Sequence, residues 1–302
     1  MIDRNELLKS CSLCPRKCGV NRLDGETGFC RCGKTVRIAR ADLHMWEEPC
    51  ISGKTGAGTV FFSGCSLQCC YCQNFEISEG CKGFELTVEE LAETFLMLQN
   101  KGAQNIELVT AAPYVSQILD ALDIAGDRLT VPIVYNSGGY ESLETLELLR
   151  DKVDIFLPDL KYYSSELSKK YSAASDYFER ASAAIIKMVS LVGSPEFDED
   201  GMLKRGVVVR HLVLPNCRHD SAKLIGWLGD NFAPYELLLS IMSQYVPMHK
   251  AKDIKELSRR TSTFEYNYVC HLAELSGFDG FFQQRESAVK DFVPTFYDEK
   301  YY

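Results

Sequence analysis

The chain has no run of eighteen apolar residues, so nothing in it is expected to span a membrane. Its opening, MIDRNELLKS, is charged and lacks the apolar h-region of a secretory signal, which sets the expectation of a cytoplasmic protein. Positive charge is not in excess: 33 Lys and Arg against 42 Asp and Glu leave a net charge of -9. That balance disfavours a polyanionic partner, and no nucleic acid is expected. No internal repeat or low-complexity linker divides the 302 residues, which excludes a solenoid. A P-loop is also missing, because GKTGAG at 53–58 does not satisfy G-x4-G-K-[ST]. Its glycines point instead to a close backbone passage beneath a barrel or beside a cluster.

Cysteine, by contrast, is abundant, with thirteen in all. The number is odd, the spacings are short and no export signal is visible, which favours metal ligation over disulfides. In TVFFSGCSLQCCYCQNFEI, residues 59–77, Cys65, Cys69 and Cys72 fall at C-x3-C-x2-C. Three thiolates on one short loop can converge on one iron–sulfur cluster. Such clusters normally take four thiolates, so three leave one iron open to a small molecule. A zinc site would lack its fourth ligand, and Cys70, next to Cys69, points elsewhere. The apolar run 59–62 reads as a buried strand, and Ser63-Gly64 turns the chain out of it. The loop then stands at the carboxyl end of a first strand, where α/β folds place ligands.

A second set precedes it. Cys11, Cys14 and Cys18 at C-x2-C-x3-C, with Cys30 twelve residues on, supply four thiolates among Pro and Gly turns. Structural zinc and a second Fe–S cluster both fit, as do buried thiols without metal. Cys32 competes with Cys30, and Cys30 is the expected ligand. Residues 1–50 are therefore read as a cysteine-rich metal-binding segment, with Cys50 a packing residue.

From residue 59 onward strands alternate with helices. Strands are expected at 59–62, 106–110, 131–135, 153–157, 207–214 and 237–242, with another at 278–284. Helices are expected at 88–102, where Thr87 and Glu90 form a capping box, and at 114–126, 142–150, 164–192 (as one or two), 221–231 and within 254–277. The stretch KTVRIARADLHMWEEP suits a short strand pair. The fold class is α/β: a partial (βα)6 TIM-like barrel over 51–302, with a C-terminal extension and right-handed crossovers.

A barrel site is built from the residues at the carboxyl end of each strand. Here those residues are Thr110, then Asn136-Ser137, Asp159-Leu-Lys161, Arg210-His211 and Gln244-Tyr245. Arg and Lys suit a carboxylate, and Asn, Ser and Asp suit hydroxyls or a cation. Plainer roles compete: Asn136-Ser137 as a turn, Asp159–Lys161 as a surface ion pair, a packed His211 and a solvated His249.

The loop Cys65-x3-Cys69-x-Tyr71-Cys72 resembles the radical S-adenosylmethionine (radical SAM) signature, C-x3-C-x-aromatic-C. The resemblance implies a [4Fe-4S] cluster whose open iron chelates SAM. One electron would cleave SAM to methionine and a 5′-deoxyadenosyl radical, which takes hydrogen from a substrate. An external reductant, flavodoxin or ferredoxin, is implied too. Cofactor contacts are expected from Tyr71, Gln73, Thr110, Asn136, Ser137, Asp159, Lys161 and Arg210. No catalytic side chain is assigned, because the radical itself abstracts hydrogen. CPRKCGVNR, HMWEEPCISG, FFSGCSLQCCYCQNFEIS, LPDLKYY, RHLVLPN and SQYVP further resemble the pyruvate formate-lyase activating enzyme-like branch, over Cys11 to Pro247. That resemblance implies a protein substrate, the backbone glycine of a glycyl radical enzyme. The chain departs from the branch in three ways: Thr110-Ala-Ala-Pro113 replaces G-G-E-P, Asn136-Ser137 replaces Asp-Thr, and the extra cysteines precede the three-cysteine loop instead of following it. A radical enzyme on a small molecule or nucleic acid and a non-catalytic Fe–S electron carrier are the alternatives.

Overall fold

Every residue of the strand Ala57–Phe62 is buried, as its unbroken apolar run requires. In the computed structural model, which describes residues 4–283 and Phe296, this strand is the second of ten. They are β1 (Val36–His44), β2 (Ala57–Phe62), β3 (Phe84–Leu86), β4 (Ile106–Val109), β5 (Ile133–Ser137), β6 (Ile155–Pro158), β7 (Glu196–Phe197), β8 (Leu203–Leu212), β9 (Leu238–Met242) and β10 (Gly280–Phe282). The sheet runs β3-β1-β2-β4-β5-β6-β8-β9-β10, with β7 beside β8. From β2 to β10 the pairing is parallel, while β1 pairs antiparallel with β2 and β3. The fold is thus α/β with a mostly parallel, curved sheet, consistent with a partial barrel. Among the described residues no ladder joins β3 to β10, so the barrel stays open.

Several elements follow from local chemistry. Thr87 Oγ1 accepts from the Glu90 amide at 3.1 Å and the Glu90 carboxylate accepts from the Thr87 amide at 2.8 Å, which caps the helix Val88–Asn100. The expected helical region 164–192 is two helices, Ser165–Ser172 and Tyr177–Val192, separated where Ala173 turns left-handed at φ 53°. The expected short strand pair at 34–49 is instead the single long β1. The free edge of β2 offers it a ladder from Ile38 to His44, so it has no need to fold back on itself. β5 runs on to Ser137 because Asn136 and Ser137 pair with Leu157 and Pro158, so these two are strand residues rather than a turn. Of the expected strand 278–284, Gln284 lies outside the described residues, as does the C-terminal extension apart from Phe296.

Alternation along the strands sorts the interior from the outer layer. Val60, Phe62, Leu108, Tyr135, Phe156, Val209 and Ile241 belong to the large core that the helices cover. Ala57, Val134, Ile155, Val208 and Leu238 join Cys50 and Ile51 in a second apolar cluster inside the sheet's curve. His44 pairs with Ala57, so the segment 45–56 links β1 to the N-terminal end of β2, and its Cys50 and Ile51 are part of this plug. Above the plug, the same faces turn polar.

Candidate cofactor site

The C-terminal end of β2 delivers the cysteine loop. Gly64 makes the exit turn at φ +88°, and a Cβ there would stand 2.2 Å from Cys32 Sγ and 2.7 Å from the Cys30 carbonyl, so only glycine fits. Cys65, Cys69 and Cys72 then line one cavity of about 570 Å³. Each sulfur has its own polar contact. The Leu67 amide donates to Cys65 Sγ at 3.3 Å, Ser172 Oγ donates to Cys69 Sγ at 3.0 Å, and Cys72 Sγ meets Ser78 Oγ at 3.4 Å. Because the Ser172 proton is committed to sulfur, Tyr162 must donate to Ser172 (2.7 Å) and Tyr71 to Tyr162 (2.6 Å). The aromatic at the third position of the motif is thereby tied through three hydroxyls to the second cysteine. Cys70 is buried away from the cavity, its amide bonded to the Tyr171 carbonyl at 2.7 Å.

Burial pushes the Cys65 and Cys69 thiols up and Cys72 to about 11. They stay protonated until something cationic replaces the proton. Among the described residues no three His, Cys, Asp or Glu side chains are gathered closely enough for a single metal ion. A cubane spreads its ligands over separate corners, and three sulfur donors on one cavity wall with no fourth cysteine fit such a cluster with one open corner.

The strand-end residues meet the same space. Tyr71, Gln73, Thr110, Asn136, Ser137, Asp159, Lys161 and Arg210 all line this cavity. Tyr177 holds two of the turns together: its hydroxyl bonds to the Asp159 carbonyl at 2.7 Å and accepts from the Lys161 amide at 3.0 Å. Gly139, at φ +79°, passes so close that a Cβ would lie 2.2 Å from that carbonyl. Asp159 and Lys161 form a buried pair at 2.5 Å, not a surface one. Arg210 Nε reaches Asp159 Oδ1 at 3.1 Å, and its Nη1 reaches Glu47 Oε2 at 3.1 Å. Burial disfavours the Asp159 carboxylate, but Lys161 and Arg210 outweigh it and hold its pKa low. Burial likewise opposes the Lys161 charge, and Asp159 more than restores it. His211, the next residue along β8, faces the helices, with Nδ1 2.6 Å from the Leu160 carbonyl and Nε2 2.8 Å from Ser221 Oγ. His249 is not solvated: it stacks on Phe75 with centroids 4.7 Å apart and meets Glu79 at 3.0 Å.

Sequence reasoning missed the floor of this cavity. Glu47 and Glu48 line it, and Glu107 stands beside them, accepting from Asn136 at 2.6 Å and Thr59 at 2.7 Å. Burial, then the Glu47 charge, raise Glu107 to about 8. A glutamate inside the apolar run IELV was the available signal. Of the N-terminal cysteines, Cys14 lies close enough to Cys11 and Cys30, and Cys11 to Cys18, for their charges to act on one another, and Cys32 and Cys81 join Cys30. Cys18 Sγ lies 3.9 Å from the Cys11 carbonyl, while Cys32 and Cys81 both direct their sulfurs at the Cys30 carbonyl, at 3.3 and 3.4 Å. Cys81, far along the chain, had no spacing to announce it. Arg22, fully buried, fastens this segment by donating from Nε to the Gly33 carbonyl at 2.9 Å and from Nη1 to the Pro113 carbonyl.

A three-cysteine loop at the C-terminal ends of the strands of an open, mostly parallel barrel defines the class. A profile of the radical SAM superfamily matches residues 59–197. Over 288 residues the chain is 30% identical to an uncharacterized protein of Methanocaldococcus jannaschii, covering 90% of this chain and 77% of that one. Residues 59–197 thus carry a radical SAM superfamily domain, and that family implies a [4Fe-4S] cluster, SAM and a reductant. Among solved structures, methylornithine synthase superposes with a TM-score of 0.51 at 17% identity, over 72% of this chain and 60% of its own length. That likeness speaks to the fold alone. A domain of pyruvate-formate lyase-activating enzyme from Bacteroides vulgatus superposes with a TM-score of 0.40 at 12% identity, over 57% of this chain and 92% of that one, too distant to bear on the reaction. No helix among the described residues is long and apolar enough to cross a membrane.

Proposed function

We propose that Cys65, Cys69 and Cys72 would hold the [4Fe-4S] cluster and that Tyr71, Gln73, Thr110, Asn136, Ser137, Asp159, Lys161 and Arg210, which line the same cavity, would hold SAM. When bound, the cluster supplies the electron that splits SAM into methionine and a 5′-deoxyadenosyl radical. The observation that carries this reading is that three thiols from one loop and eight polar residues drawn from five separate segments all line a single cavity. Lys161 offers a point charge for the SAM carboxylate, while Asn136 and Ser137 offer hydroxyl and amide groups to the sugar. Tyr71, held through Tyr162 and Ser172, fixes the loop's conformation around the sulfurs. Phe61, Val109 and Met242 supply apolar wall that keeps water from the reacting atoms.

The finer reading is an activase-like enzyme that takes hydrogen from a glycyl radical enzyme and draws electrons from flavodoxin or ferredoxin. A small-molecule substrate is the second reading, favoured by the buried acidic residues that continue the cavity below the cofactor. Residues 1–50 form a metal-binding segment in this proposal, holding zinc or a second Fe–S cluster on Cys11, Cys14, Cys18 and Cys30. Anaerobically reconstituted protein, given SAM and dithionite, should release 5′-deoxyadenosine, and Cys72→Ala should release none. A glycyl radical signal on adding a glycyl radical enzyme selects the activase reading; its absence with turnover on a small substrate selects the other.

A further inference from the structure

The polar layer inside the barrel holds more carboxyl groups than cations. Glu47, Glu48, Glu107 and Asp159 face two cations, Lys161 and Arg210. Asp159 takes Lys161 and one edge of Arg210, and Glu47 takes the other. Glu107 is met by the neutral donors Asn136 and Thr59 and by the Glu47 carboxyl itself. Glu48 is only 9% exposed, and its Oε2 has no hydrogen-bond partner although the side chain lines the cavity. A carboxylate oxygen sealed from solvent and left without a donor is costly unless a ligand completes it. Two carboxyl groups in contact, as Glu47 and Glu107 are, signal the same deficit of positive charge.

We propose that Glu48, beside Glu47 in the cavity lining, forms the subsite for a cationic group of the substrate, an alkylammonium or guanidinium on an apolar stem. The proposal rests on the radical SAM reading of the same cavity and names its substrate class. The stem would pack on apolar side chains of the same cavity, Phe61, Leu212 and Met242. An organic cation fits better than a metal ion. A hard divalent ion takes six or more oxygens, and among the described residues no three His, Cys, Asp or Glu side chains are gathered for one. An ammonium needs only two or three acceptors.

The test measures equilibrium binding to the anaerobic holoprotein with agmatine and n-hexylamine as probes and 1-hexanol as the uncharged control, by calorimetry and by thermal shift. Both amines should bind wild type, 1-hexanol should not, and Glu48→Gln should weaken the amines by about tenfold or more. Glu48→Ala serves as a second variant and should weaken them at least as much. The proposal is overturned if neither amine binds, if Glu48→Gln binds them as tightly as wild type, or if Mn²⁺ binds in a Glu48-dependent manner and displaces them. The same preparation is assayed for 5′-deoxyadenosine from SAM and dithionite. Deoxyadenosine without amine binding sinks only the subsite, whereas amine binding without deoxyadenosine sinks the radical reading.

Discussion

Replacing Arg210 by Met removes the one side chain that joins the polar layer together. Its side chain is 12% exposed, and its guanidinium contacts Asp159 and Glu47, each at 3.1 Å, as well as Asn136. Met fills much of the same volume and offers no charge. Asp159 keeps Lys161, but the basic group left beside Glu47 among the described residues is His44, 3.9 Å away, which burial drives to about 4 and so leaves neutral. Truncating one partner of a buried ion pair costs about 3–5 kcal/mol, most of it from the charge left behind. The loss should be largest at pH 8 and shrink towards pH 5.5, where an uncompensated Glu47 takes up a proton. Urea unfolding of wild type and Arg210→Met at both pH values measures it. Adding Glu47→Gln to Arg210→Met should restore part of the stability at pH 8, as a coupled pair in a double-mutant cycle must. A destabilisation below about 1 kcal/mol at pH 8, or one with no pH dependence, refutes the reasoning.

Other outcomes follow from single groups. Glu141 is buried against the Tyr135 hydroxyl at 3.1 Å, and burial raises it to about 8. Its folded pKa exceeds the unfolded one, so the folded state holds the extra proton and stability falls as pH rises from about 4.5 to 8; Glu141→Gln should flatten that slope by up to about 1.4 kcal/mol per pH unit in chemical denaturation. Ser172→Ala deletes the donor to Cys69 Sγ and should lower the potential of the reconstituted cluster by roughly 20–60 mV in an EPR-monitored titration, the one-electron equivalent of about 0.5–1.4 kcal/mol; an unchanged potential removes the hydroxyl chain from the account. Arg22→Met should free residues 4–33 from the Pro113 carbonyl, seen as early proteolytic clipping in that segment while the barrel core stays protected.

The cysteine loop and the strand ends were legible because their signals are local. A C-x3-C-x2-C spacing and an apolar run before Gly64 state their roles within a dozen residues. Asp159 and Lys161 were found as a pair, yet sequence could not decide that β8 would bring Arg210 against them and bury all three. Glu47 and Glu48 were hidden for a different reason. They lie on the connection between β1 and β2, so only the antiparallel register of those strands, with His44 opposite Ala57, carries them to the barrel interior. Cys32 and Cys81 meet across fifty residues of chain, a distance at which spacing carries no information. β1 was misread as a hairpin because alternation reports a strand but not its partner.

The claim on which the account turns is that the three-cysteine loop leaves one iron free for SAM. The EPR spectrum of the dithionite-reduced, anaerobically reconstituted protein, recorded with and without SAM, tests it. The account requires the cluster signal to change when SAM is added and to be lost in Cys72→Ala. A reduced-cluster spectrum indifferent to SAM at saturating concentration contradicts it.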